Sequence, residues 1–144
     1  MSRRAPVQLP HDAPCPCGLG LRYAECCGRL HRGEAQAATA ELLMRSRYSA
    51  FAVRDEAYLL ASWHPSTRPR SVDLPPGLEW TGLEVLEREA GGPFDTEGVV
   101  SFEASYREDG HPGRLAERSR FRRENGAWLY LAALPSLDRG SSRR

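Results

Sequence analysis

The sequence predicts an α+β protein in which a short cysteine-bearing segment precedes helices, and the helices precede antiparallel strands. Three observations carry this. All four cysteines fall within the thirteen residues from Cys15 to Cys27. Between Ala40 and Ala52, apolar residues recur at three- and four-residue spacing, the period of one helix face. From Trp80 onward the period falls to two, and turn signals divide the stretch into strands. Helices first and strands afterwards is the order of an α+β plan.

Taken in order, residues 1–13 combine Pro6, Pro10 and charged residues with no periodicity, and are expected to be a disordered leader. Residues 14–28 form a knuckle around the cysteines, and residues 29–134 form the main domain, beginning with a partly helical connector over 29–38. Thr39 is placed to cap the long helix, whose apolar face is Ala40, Leu43, Met44, Tyr48, Phe51 and Ala52, flanked by Arg45 and Arg47. Asp55 opens a second helix that runs to Trp63 before Pro65 stops it. Residues 66–77, with three prolines and a glycine, read as a loop.

A first strand spans Trp80 to Glu89, with Leu83 and Val85 on one face. A second spans Gly98 to Arg107, where Val100, Phe102, Ala104 and Tyr106 alternate with more polar neighbours. Asp109-Gly110 and Pro112-Gly113 mark the turn into a third strand, Arg114 to Arg122. Asn125-Gly126 signals a hairpin into a last strand, Trp128 to Ala132. Residues 135–144, rich in Ser and Arg, are expected to be a disordered tail.

The cysteines read C-x-C-x8-C-C: Cys15, Cys17, Cys26 and Cys27. Four thiols this close suit a tetrahedral zinc ion, and the intervening glycines let the backbone wrap around it. Two disulfides or a redox-active thiol pair are alternatives. The N-terminus lacks the apolar stretch of a secretion signal, which points to a reducing cytoplasm where clustered cysteines more often hold metal, and Cys26 and Cys27 lack C-x-x-C spacing. Four thiolates would leave a zinc ion no open position for catalysis. His11 and His31 flank the segment as substitute ligands.

The C-P-C-G-x-G run and the following C-C-G resemble the SEC-C zinc motif, known from the C-terminal tail of the bacterial preprotein translocase ATPase. With Ala40-Glu41-Leu42-Leu43-Met44-Arg45-Ser46-Arg47-Tyr48-Ser49-Ala50-Phe51 downstream, the chain resembles the bacterial YchJ family over about Cys15 to Tyr130. The resemblance implies a cone like that of nuclear transport factor and ketosteroid isomerase, with helices packed on a curved antiparallel sheet. It also implies that the knuckle docks a macromolecular partner, a protein or the ribosome. Leu19 stands where SEC-C segments often carry a small polar residue, and Leu131-Ala132-Ala133-Leu134 replaces the Asp-Gly step associated with the family's last strand.

Net charge is +1, so global charge does not indicate nucleic acid, although all twenty basic residues are arginine. No apolar run is long enough for a membrane span. On the third strand, alternation that turns Leu115 and Phe121 inward carries Glu117 and Ser119 with them. A buried carboxylate needs a partner, and Arg45 or Arg47 is the candidate, either as an ion pair locking helix to sheet or within a polar pocket. Tyr48 and His64 are further pocket candidates. No nucleophile and second carboxylate are spaced to complete a triad with His64, so no catalytic residue is assigned. Arg118, Arg120, Arg122 and Arg123 read as a solvated face paired to carboxylates on the neighbouring strand, or as a phosphate-binding surface. Trp80, Trp128 and Tyr130 read as core. The sequence thus supports a zinc-binding interaction protein, with a small-molecule-binding or enzymatic cone as the alternative.

Overall fold

A computed structural model describes residues 7–10 and 12–135. Its elements run α1 (Cys27–His31), α2 (Ala40–Val53), α3 (Glu56–Ala61), β1 (Leu78–Ala90), β2 (Glu97–Glu108), β3 (His111–Glu124) and β4 (Ala127–Leu134). The helix starts follow local chemistry. The Thr39 side chain accepts from the Leu42 amide at 3.1 Å, and Asp55 accepts from the Tyr58 amide at 3.0 Å, each satisfying a donor left free in a first turn. α2 ends at Arg54, which takes the left-handed conformation (φ 64°).

The four strands form one antiparallel sheet in the order β1-β2-β3-β4. Asn125-Gly126 closes the β3–β4 hairpin with both residues at positive φ, and Asp109-Gly110 does the same between β2 and β3. Pro112 and Gly113, expected in that turn, instead pair with Arg107 and Tyr106 as the start of β3. Irregularities at Trp80/Gly82, Val85/Glu87 and Arg120/Phe121 shift the register; bulges of this kind bend and twist a sheet.

α2 supplies Ala40, Leu43 and Met44 to a core closed by Val100, Phe121 and Trp128 of the sheet. Burying a side chain such as Phe121 contributes about 1.5–3 kcal/mol. A second cluster joins Ala50 and Leu59 to Val72 and Leu74. The proline-rich loop is therefore partly buried, and the Arg54 guanidinium holds it by donating to the carbonyls of Leu74 (2.9 Å) and Pro75 (2.7 Å).

The tail over 136–144, residues 1–6 and His11 lie outside the described residues. The described part of the leader is bonded to the body: the Val7 amide donates to Val53 O at 2.7 Å, and Ala13 O accepts from the Tyr23 amide at 2.8 Å. No helix among the described residues is long and apolar enough to cross a membrane.

Candidate metal centre and cavity

The knuckle is built by two short devices. Cys15 and Cys17 sit on a turn closed by the Cys15 amide donating to Leu21 O at 2.9 Å, with Pro14 bridged to Arg22. A single 3-10 turn, Tyr23–Glu25, then delivers Cys26 and Cys27 to the start of α1. All four cysteines are free thiols and buried, and their sulfurs lie within 4.8 Å of one another. The Cys17 and Cys26 sulfurs are 3.7 Å apart, close to the roughly 3.8 Å edge of a tetrahedron with metal–sulfur bonds of about 2.3 Å. Hydrogen bonds from Cys17 and Cys27 hold the Cys15 thiol well below its usual value, while burial and the charge of Cys15 push Cys26 up to about 12. A soft dication that displaces the thiol protons fits this donor set. Four such ligands could hold a metal.

The cysteine cluster faces α2. Cys15 Sγ lies 3.5 Å from Ser49 Oγ, and Arg45 Nη1 donates to the Cys17 carbonyl at 2.8 Å. His31 is a strut, not a ligand. Its Nε2 meets the Ser46 carbonyl at 2.8 Å, so it carries the proton, and Nδ1 accepts from the Tyr23 hydroxyl at 2.6 Å. Burial lowers its pKa. The small residues Ser46, Ser49 and Ala50, all fully buried, let the knuckle and α3 approach α2 closely. Their three- and four-residue recurrence was the sequence signal for this second contact face.

Between α2 and the sheet lies a cavity of about 240 Å³. Its walls are apolar and aromatic, including Phe51, Trp63, Trp80, Phe102 and Leu115, and its polar groups are Arg47, Tyr48, Glu117, Ser119 and Tyr130. Glu117 stands opposite Phe102 and Ser119 opposite Val100 in the β2–β3 register. Glu117 Oε2 accepts from Ser119 Oγ at 2.7 Å and from the Tyr130 hydroxyl at 3.4 Å. Arg47 is 6% exposed, and its Nη1 donates to Leu59 O (2.8 Å) and Ser62 Oγ (2.7 Å). Its guanidinium carbon lies 4.9 Å from the centre of the Trp63 ring and 4.6 Å from that of Tyr130. Desolvation pushes Arg47 down to about 10 and Tyr48 up to about 12. Burial, with the Glu117 charge behind it, pushes Tyr130 up to about 12 as well.

Two expected pocket residues lie elsewhere. Arg45 pairs with Glu41 at 2.8 Å besides holding the knuckle; on the same helix as Arg47 but roughly 200° around it, it cannot share that side chain's view. His64 is anchored at the β3–β4 hairpin. Its Nε2 meets Glu124 Oε2 at 2.9 Å, and its Nδ1 accepts from the Ser66 amide and hydroxyl at 3.1 and 2.8 Å. Nor do Glu117 and Arg47 form an ion pair, since each is anchored by other partners.

Trp63, Trp80 and Tyr130 are the cavity groups that spacing missed. Trp128 is buried core, but Trp80 and Tyr130 line the cavity. Trp63 reaches the site because the chain after α3 bridges to Tyr130, where the two rings meet edge to face at 5.1 Å. Three members of the arginine row are matched to carboxylates, Arg118 with Glu89 and Arg120 and Arg122 with Glu97, while Arg123 donates to the Pro93 carbonyl; Arg114 on the same strand pairs with Glu103.

Comparison with known proteins agrees with this layout. Residues 39–133 match the domain described as YchJ, middle NTF2-like domain, and residues 13–29 match the SEC-C motif. A UPF0225 protein of Streptomyces avermitilis is 55% identical over 130 residues, covering 90% of each chain. A UPF0225 protein of Deinococcus radiodurans is 44% identical over 135 residues, 92% of this chain and 98% of its own. The solution structure of a SEC-C motif containing protein from Rhodopseudomonas palustris superposes with a TM-score of 0.75 at 32% identity, covering 85% of this chain and 98% of that one. The crystal structure of a SEC-C motif containing protein from Psychrobacter arcticus gives 0.71 at 24% identity over 92% and 86% of the two chains, a likeness of fold.

Proposed function

Because the chain belongs to the YchJ (UPF0225) family, joining a SEC-C motif to an NTF2-like domain, we propose that it is a zinc-stabilised protein that binds a small molecule between α2 and the sheet. The observation that carries this reading is the cavity itself, aromatic-walled and holding both a guanidinium and a carboxylate. Cores are normally packed without voids larger than a water molecule, whereas ligand sites are apolar hollows with a few placed polar groups. Zinc held by Cys15, Cys17, Cys26 and Cys27 supplies structure rather than chemistry, since four thiolates complete its shell. The reading sets the protein in the cytoplasm, where thiols stay reduced for metal.

Native mass spectrometry of gently purified protein tests this. The expected spectrum is the chain plus one zinc plus a reproducible small-molecule mass. Leu115, at the cavity wall and 41% exposed, can take a larger side chain. Leu115→Trp should remove the small mass and retain the zinc. A retained mass in that variant, or a wild-type chain carrying no zinc, would overturn the reading.

One observation favours a second role for the knuckle. With its cysteines turned to α2, its outer tip leaves Leu19 and Leu21 42% and 51% exposed, an apolar point suited to docking on a protein or ribosomal partner. Co-sedimentation with ribosomes that disappears in a Leu19→Ser, Leu21→Ser variant would support it, and equal behaviour of variant and wild type would dispose of it.

A further inference from the structure

Two opposite charges face the cavity without meeting. Arg47 is buried, and among the described residues it donates only through Nη1, with Nε and Nη2 making no hydrogen bond. Among the described residues no carboxylate comes within 4.0 Å of it. Among the described residues Glu117 accepts only through Oε2, leaving Oε1 without a donor. Both groups touch one side chain, Tyr130: the guanidinium lies over its ring and the carboxylate contacts its hydroxyl. Cation and anion are therefore within one residue's reach of each other, on the polar side of an otherwise apolar hollow.

The charge complement of such a site is a zwitterion with an apolar body. A simple anion would satisfy Arg47 but lie against Glu117. A simple cation would do the reverse. A hydrocarbon would cover both charges and leave them unserved, which is costly in a water-poor site. A carboxylate on Arg47 gains charge-assisted, potentially bidentate bonds, and an ammonium one carbon away can reach Glu117. About 240 Å³ falls below the roughly 300–1,000 Å³ of sites for drug-sized ligands, which sets the occupant at metabolite size. Phe51, Trp80 and Phe102 favour a flat ring. Resting on the small-molecule reading above, we propose that the cavity takes a free α-amino acid with an aromatic side chain, its carboxylate on Arg47, its ammonium on Glu117 and its ring among the aromatic walls.

The test is isothermal titration calorimetry of the full zinc-loaded chain with four probes: L-phenylalanine, 3-phenylpropionate, 2-phenylethylamine and toluene. L-Phenylalanine should bind most tightly, and removal of either charged group should weaken binding about tenfold or more. Glu117→Gln keeps an acceptor for Ser119. It should lower the affinity for L-phenylalanine to that of 3-phenylpropionate while leaving 3-phenylpropionate no weaker than on the wild type. Either single-charge probe matching L-phenylalanine would overturn the amino-acid assignment and leave the cavity a small-molecule site, as would toluene binding alone. Silence from all four on folded protein would overturn the assignment and the cavity reading together.

Discussion

Arg45, on the long helix, donates through Nη1 to the carbonyl of Cys17 across twenty-eight residues of sequence, at 2.8 Å. A side chain of the main domain thus holds the loop that presents two of the four cysteines. Arg45→Met removes this bond and the pairing with Glu41. Hydrogen bonds from charged groups contribute about 1.5–3 kcal/mol, so the variant should lose about 1–2 kcal/mol of stability and, loaded with the proposed zinc, surrender it faster to a chromogenic chelator. Unchanged melting and unchanged chelation kinetics would show that the knuckle seats without this bond.

If the four cysteines hold zinc as proposed, stripping it should lower the melting temperature of the whole chain, because the cysteine cluster rests on Ser49 and shares α2 with the core. Calorimetry should record one transition that moves down on chelation and returns with added zinc. Two separate transitions would mean that the knuckle melts by itself.

His31 gives stability a pH dependence with a definite sign. Burial lowers its folded pKa below 6.5, so the unfolded chain binds its proton first as pH falls. Its contribution is complete above about 6.5 and is lost below it. NMR should find an Nε2–H tautomer whose ring titrates below 6.5. Replacing it by Gln, which can still donate to Ser46 O, should flatten the fall in melting temperature between pH 7 and 5.5. A ring titrating at or above 6.5 would contradict the geometry.

Gly98 lies where the β1–β2 hairpin meets the start of α2. A Cβ there would stand 2.5 Å from Gly91 Cα and 3.2 Å from Ala40 Cβ, too close to backbone for a side chain to yield. Gly98→Ala should therefore cost about 1–3 kcal/mol, measured by urea unfolding. Neutrality would mean that the hairpin shifts freely.

What could be read from the sequence was what local chemistry decides. Thr39, Asp55 and Asn125-Gly126 announce their caps and turn within a few residues, and four thiols in thirteen residues need no distant partner to suggest a metal. Alternation put Leu115, Glu117, Ser119 and Phe121 on one face, and the sheet keeps them there. Choosing between Arg45 and Arg47 was beyond it, because that depends on which side of α2 the knuckle covers. His64 meets Glu124 sixty residues away, and Trp63 enters the cavity only through its bridge to Tyr130. Such placements are settled by packing, which leaves no periodic trace.

The sheet order β1-β2-β3-β4 bears on how the molecule assembles. Every strand pair is a hairpin between sequence neighbours, so each pairing has to close only the turn between its own two strands. The knuckle contacts are different. Cys15 reaches Ser49 across thirty-four residues, so during synthesis the cysteines leave the ribosome before the helix that seats them. Until α2 follows, the nascent knuckle is a thiol cluster without its floor, and a metal-ready arrangement of its four sulfurs is complete only once the helix behind it has emerged.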